Sequence, residues 1–206
     1  MERTWGIRLL LIGFVLLTGL GVAVATGAVR AGKPVPKASG PVIPSLGTAK
    51  NGVFAGSGVT FRYPTGWRTL PPQSTPVGEL GPARRIVIGS GTGSDRIVVQ
   101  AFRLQAPITD AEKTGVMGQV GSSVSAFVSS QHGTMETPVA EGKLGALPAF
   151  TATASWPGTG GATMHGRFYF GYQGYAIFEV TCQRATTAPA QIDAGCDQIV
   201  ETFRVA

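Results

Sequence analysis

MHGRFYFGYQGYAIFEVTC, residues 164–182, is the stretch on which the fold turns. Phe168, Phe170 and Tyr172 alternate with Arg167, Tyr169 and Gly171, the period of two that gives a β-strand one apolar face. Past Gln173-Gly174 the same period resumes with Ala176, Phe178, Val180 and Cys182. Two such runs, Met164 to Tyr172 and Tyr175 to Cys182, joined by a short glycine-bearing turn make an antiparallel hairpin. The domain is therefore built on an antiparallel sheet.

Downstream, Pro189 stands in a first helical turn behind Thr187, and Ile192, Cys196, Ile199, Val200 and Phe203 follow at helical spacing. Cys196 lies on the apolar face of that helix and Cys182 on the Phe178–Val180 face of the hairpin. Packing the helix on that strand face brings the two sulfurs together, and a bridge there is worth roughly 3 kcal/mol. The alternative is two buried free thiols, since free cysteine packs as a small core residue.

Upstream, Phe150, Ala152, Ala154 and Trp156 alternate with Thr151, Thr153 and Ser155 before the turn Pro157-Gly158-Thr159-Gly160-Gly161. Before that strand, Thr109-Asp110-Ala111-Glu112 has the form of a capping box. Val116, Val120, Val124, Phe127 and Val128 then give one apolar helix face, and His132-Gly133 supplies a stop. Gly115, Gly118 and Gly121 each cost that helix about 1 kcal/mol relative to alanine, which leads to the expectation of close packing on the sheet. Still earlier, Val59, Phe61 and Tyr63 form a strand that Pro64-Thr65-Gly66 turns into Trp67. Arg85 to Ile88 and Ile97 to Leu104 are two more, joined by the loop Gly89-Ser90-Gly91-Thr92-Gly93-Ser94. That glycine spacing fits neither a dinucleotide fingerprint nor a Walker loop.

The amino-terminal side contains no core. Leu9 to Val29 is a run of 21 residues without a charge, behind Arg3 and Arg8. At about 1.5 Å per residue it is long enough to cross a hydrocarbon layer of roughly 30 Å. Residues 1–30 are thus read as one transmembrane anchor, with a secretory signal cleaved near Ala25 as the alternative, because Ala23-Val24-Ala25 has small-x-small form. Residues 31–52 are Pro-, Gly-, Ala- and Ser-rich, a partly extended linker. Residues 53–206 are the size of one ordinary domain. The apolar start and an isolated pair of cysteines, which suits an oxidising compartment, together place that domain outside the cytoplasm.

Formal net charge is +6. Arg3, Arg8, Arg30, Lys33 and Lys37 against Glu2 account for four of those charges, leaving +2 for the rest. No stripe of clustered Lys and Arg with stacking aromatics appears, so a nucleic-acid partner is not indicated. His132 and His165 are the only histidines; without further ligands at compatible spacing they suggest no metal site, and no cofactor is implied. His132 reads as a helix C-terminal residue and His165 as an exposed or edge position. No G-x-S-x-G or S-x-x-K pattern is present. A spatial pair such as Glu136 with Glu179 keeps a secreted hydrolase in view as the least favoured reading. Arg62, Arg68, Arg84, Arg85, Arg96 and Arg103 face only Glu79 and Asp95 between residues 60 and 103. Arg62, Arg68, Arg84, Arg85 and Arg103 are the candidate ligand-binding set, because the guanidinium fork suits anionic headgroups; charged guards on strand edges are the alternative. Trp67 and Trp156 sit beside turns, where core closure is the commoner use than ligand stacking.

Gly58-Val59-Thr60-Phe61-Arg62-Tyr63-Pro64-Thr65-Gly66-Trp67, Tyr175-Ala176-Ile177-Phe178 and the closing Glu201-Thr202-Phe203-Arg204 resemble the PsbP-like superfamily, and within it the actinobacterial LpqN-type envelope proteins. The resemblance implies an α+β fold, an α/β sandwich of antiparallel sheet with packed helices. It also implies a non-enzymatic accessory or adaptor role in a membrane-protein complex of the cell envelope. The LpqN-type lipoproteins carry a lipobox cysteine that is missing here, so tethering falls to the apolar run. The second reading is a lipid or glycolipid binding protein with a pocket between sheet and helix near the three glycines.

Overall fold

The structure is a computed structural model that describes residues 49–50, 52–56, 58–70, 84–89, 95–104, 106–185 and 191–205. The predicted anchor, Leu9 to Val29, lies outside them, as does most of the linker. Among the described residues no helix is long and apolar enough to cross a membrane.

Along the chain come β1 (Ala49–Lys50), β2 (Val53–Gly56), β3 (Val59–Arg62), β4 (Arg68–Leu70), β5 (Arg84–Gly89), β6 (Arg96–Arg103) and helix α1 (Lys113–Ser130). Then follow β7 (Thr134–Leu144), β8 (Leu147–Pro157), a 3-10 turn at Thr159–Gly161, β9 (Thr163–Gln173), β10 (Ala176–Ala185), α2 (Gln191–Thr202) and β11 (Arg204–Val205). β1 falls within the stretch assigned to the linker and pairs with β2.

Seven strands form one antiparallel sheet in the order β4-β5-β6-β10-β9-β8-β7, and β1-β2-β3-β11 form a second, smaller sheet. The β9–β10 hairpin is where the sequence puts it. Its two-residue turn is Gly174-Tyr175, since Gln173 pairs with Ala176, one residue later than Gln173-Gly174. Gly174 has φ +53°, the left-handed conformation that primed hairpin turns need at their first position.

Register fixes the two faces of the large sheet. Phe168 and Phe170 of β9, with Phe150, Ala154 and Trp156 of β8, lie under α1, which lays Val120, Val124, Phe127 and Val128 across them. The Phe127 ring meets Trp156 edge-on at 5.4 Å. On the opposite face Phe178, Val180 and Cys182 of β10 pack against Cys196, Ile199 and the aromatic trio Phe54, Phe61 and Phe203. Phe54 and Phe61 stack at 4.9 Å across the β2–β3 pair. Covered on both sides, β10 is buried from Ile177 to Gln183.

Four local expectations are corrected. The α1 helix starts at Lys113 rather than Thr109. The Thr109 amide and hydroxyl both donate to the Glu112 carboxylate, at 3.3 and 3.0 Å, so only the glutamate half of the capping box forms and residues 110–112 stay in a turn. Gly115 and Gly118 have no atom within 4 Å of where a Cβ would sit, and Gly121 has only Val139 at 3.8 Å, so close packing does not account for these glycines. The last helix stops at Thr202, and Phe203 reaches the core from the link to β11. The strand β7 was not foreseen. Pro138 and two register irregularities break its alternation, which a sheet edge tolerates.

The α1 helix ends in a Schellman motif, with Gly133 N–H donating to the Val128 carbonyl at 2.8 Å and His132 N–H to Ser129 at 2.9 Å. His132 occupies the left-handed position at φ +56°, which costs an L-residue roughly 1–2 kcal/mol. His132→Gly is expected to stabilise the protein by about 1 kcal/mol in urea unfolding. A loss of stability would show that the imidazole makes a contact worth more than the strain.

Candidate functional site

The α2 helix is held on the sheet by a disulfide flanked by two ion pairs. Cys182 and Cys196 are bridged, with Cα atoms 5.9 Å apart. Asp193, about one helical turn before Cys196, and Asp197, the residue after it, bracket the cysteine, while Arg184 and Arg167 lie on the Cys182 face of β10 and β9. Arg184 Nε lies 2.9 Å from Asp193 and Arg167 Nη2 2.6 Å from Asp197. Arg167 also donates to the Tyr169 hydroxyl at 2.6 Å and lies over that ring at 5.7 Å. Burial opposes the arginine's charge, but the hydrogen bonds and charges of Asp197 and Tyr169 outweigh it and raise its pKa. Trp67 packs against α2 at Gly195, where a Cβ would stand 2.6 Å from its ring. Trp67 and Trp156 each serve the core.

Beyond Arg167 the same face of the sheet continues as a field of hydroxyls. In register order it carries Thr151, Thr153 and Ser155 of β8, half-buried, and Thr134 and Thr137 of β7, exposed. The Thr137 and Thr153 hydroxyls are 3.0 Å apart, and Thr153 N–H donates to Thr137 Oγ1 at 2.9 Å. His165 Nδ1 lies 3.1 Å from Glu136 Oε1. This surface is bounded by the Glu136–His165 and Arg167–Asp197 pairs.

The α1-side face of the central strands carries a buried polar row. The fully buried Glu179 accepts from Gln100 Nε2 at 2.8 Å and from Thr181 Oγ1 at 2.7 Å. Arg96 Nε donates to Gln183 at 2.9 Å, so Arg96 is tied into this row. Glu136 and Glu179 stand on opposite faces with two strands between theirs, so they make no carboxylate pair. Among the described residues no three His, Cys, Asp or Glu side chains converge as a metal site would require.

The arginines of the candidate set are spread over the molecule. Arg62 is exposed on the outward face of the small sheet, and Arg68 on the edge strand β4. Arg84 and Arg85 stand opposite Ala101 and Gln100 in β5. Arg103 is exposed at the far end of β6, opposite Ala176. The residue that joins Arg62 is Arg204: it pairs with Thr60 in β11–β3, which makes Arg62 its diagonal neighbour, roughly 7–8 Å away. Sequence reasoning missed this because a closing helix had absorbed Arg204. It read Asp193 as a first-turn helix acid and gave Asp197 no role, missing their pairing with Arg184 and Arg167.

A groove of about 540 Å³ opens at this end of the domain, lined among others by Ile108, Leu147, Pro148, Tyr172, Phe203 and Arg204. It lies by the β7–β8 and β9–β10 turns, and Gly115, Gly118 and Gly121, near which the lipid reading sets a pocket, do not line it.

No family model and no curated protein matches the chain. Solved structures do. The solution structure of cyanobacterial PsbP (CyanoP) from Synechocystis sp. PCC 6803 is 14% identical, with a TM-score of 0.52 over 81% of this chain and 100% of that one. LpqN of Mycobacterium tuberculosis, described as involved in cell envelope biogenesis, gives 14% identity and a TM-score of 0.46 over 72% of this chain and 83% of that one. A crystal structure from Bacteroides thetaiotaomicron VPI-5482 gives 11% and 0.46 over 73% of this chain, which spans only 46% of that one. The likeness to CyanoP is one of fold: the domain has the PsbP-like α+β architecture.

Proposed function

We propose that the chain is a non-enzymatic accessory or adaptor protein of a cell-envelope complex, its PsbP-like domain held outside the membrane by the apolar run Leu9 to Val29. The observation that carries this reading is the hydroxyl-lined face of β7, β8 and β9. Its ionic groups are already paired, Glu136 with His165 and Arg167 with Asp197, and its broad, strand-borne surface suits the docking of a macromolecule. The Cys182–Cys196 bridge supports an extracytoplasmic position, since such bonds persist in oxidising compartments. The resemblance of the Tyr63-Pro64-Thr65-Gly66-Trp67 turn and its flanks to LpqN-type envelope proteins supports the cellular setting.

A photo-crosslinking amino acid placed at Thr153 of the full-length protein in its own membranes is expected to capture a discrete membrane-protein partner. The same group at Ser122, on the exposed side of α1, is expected to capture none. Equal capture from both positions would remove this face from the reading, and substrate turnover that depends on a single acid or histidine would replace the adaptor with an enzyme. The membrane-extracted protein should begin at Met1 or Glu2; a start at Thr26 would mean a cleaved signal and no tether.

A further inference from the structure

We infer that the groove at the β11 end of the domain binds a single-chain anionic amphiphile, a long-chain fatty acid, with its carboxylate on Arg204. This goes beyond the adaptor reading and does not rest on it. The groove's volume of about 540 Å³ falls within the range of roughly 300–1,000 Å³ usual for small-molecule sites. A groove of that size can seat one acyl chain along its walls. Ile108, Leu147, Pro148, Tyr172 and Val205 give it apolar walls.

Among the described residues Arg204 is the only charged one lining the groove. Its Nη1 donates to the Glu201 and Phe203 carbonyls at 3.0 and 2.7 Å. Those two bonds aim the guanidinium without neutralising it, and among the described residues no carboxylate pairs with it. The remaining N–H groups form the fork that takes a carboxylate in two parallel hydrogen bonds. Arg62, its diagonal neighbour on the outward face of the small sheet, adds a second positive charge to that region. A neutral amphiphile would leave this charge unanswered, and a short anion such as acetate would leave the apolar walls wet.

The test uses the full-length protein reconstituted in phosphatidylcholine vesicles and a sixteen-carbon fatty acid probe bearing a diazirine near its tail. Labelled sites are mapped by peptide mass spectrometry. Labels should concentrate in residues 106–108, 146–148, 172–174 and 203–205. Leu147→Trp, which fills the groove, and Arg204→Gln, which removes the charge at the surface, are each expected to lower labelling about tenfold, with the matching diazirine alcohol labelling the wild type at about the Arg204→Gln level. Should Leu147→Trp fail to fold, Ala146→Trp at the exposed lip takes its place. Labels scattered over the surface, or undiminished in the tryptophan variant, would overturn the site. Equal labelling by the alcohol, or labelling indifferent to Arg204→Gln, would overturn the assignment of the carboxylate.

Discussion

Replacing Cys182 and Cys196 together by alanine is expected to lower stability by about 3 kcal/mol and the melting temperature by roughly 10 °C. The bridge closes a loop with a sequence separation of 14, for which the entropy of the open chain gives about that figure. Native contacts do not replace it. The flanking pairs Arg184–Asp193 and Arg167–Asp197 are about a third to a half exposed, and ion pairs so placed contribute at most about 1 kcal/mol each. Ile192, Ile199 and Phe203 stay buried, so α2 should remain docked in a less stable protein. The check is urea unfolding of wild type and double variant, with intact mass confirming that the wild type is two hydrogens lighter than its reduced form. A difference below about 1 kcal/mol would mean that the sheet and helix already confine the chain in the unfolded ensemble.

The bridge was legible in the sequence because both cysteines sit in strongly periodic elements. Phe178-x-Val180-x-Cys182 and Ile192-x-x-x-Cys196-x-x-Ile199 each assign the sulfur to an apolar face, and buried faces of adjacent elements pack together. The same logic placed β8, β9, β10, α1 and α2, all of which bury at least one side deeply. It fails where burial is shallow. The strand β7 shows one fully buried residue, Leu144, and a sheet edge need not alternate. Strands of two to four residues such as β1, β2 and β11 hold too few positions for a period to show, and they exist because Phe54, Phe61 and Phe203 stack on the core.

The site was less legible than the fold, for a related reason. Charge counts along the sequence grouped the arginines between residues 60 and 103, but strand register distributes them over several edges and both ends of the large sheet. Arg62 meets Arg204 only through the β3–β11 pairing, which joins the two termini of the domain. Thr151, Thr153 and Ser155 were visible as the polar side of a strand. That they continue into Thr137 and the Glu136–His165 pair depends on β7, the strand whose pattern Pro138 hides.

Gly145→Ala is expected to destabilise the protein by about 2–5 kcal/mol, although it adds one methyl group on a hairpin turn. Two costs combine. Gly145 has φ +60°, where an L-residue loses roughly 1–2 kcal/mol. The new Cβ would also be driven into the Phe203 carbonyl oxygen, and would lie 2.8 Å from Arg204 Nη1; forced overpacking of this kind costs about 1–3 kcal/mol. The side chain of Arg204 can swing away, but the carbonyl cannot without moving the Phe203 ring. That ring is fully buried and stacks on Phe61 at 6.1 Å and beside Phe178 at 5.6 Å. Two other glycines separate the costs. Gly174 has the same backbone hand but nothing within 4 Å, so Gly174→Ala should lose only about 1–2 kcal/mol. Gly118 is helical and open, so Gly118→Ala should gain about 1 kcal/mol. If Gly145→Ala costs no more than Gly174→Ala in urea unfolding, the β7–β8 turn does not bear on β11. The close approach that sets Arg204 at the groove would then have to be abandoned with it.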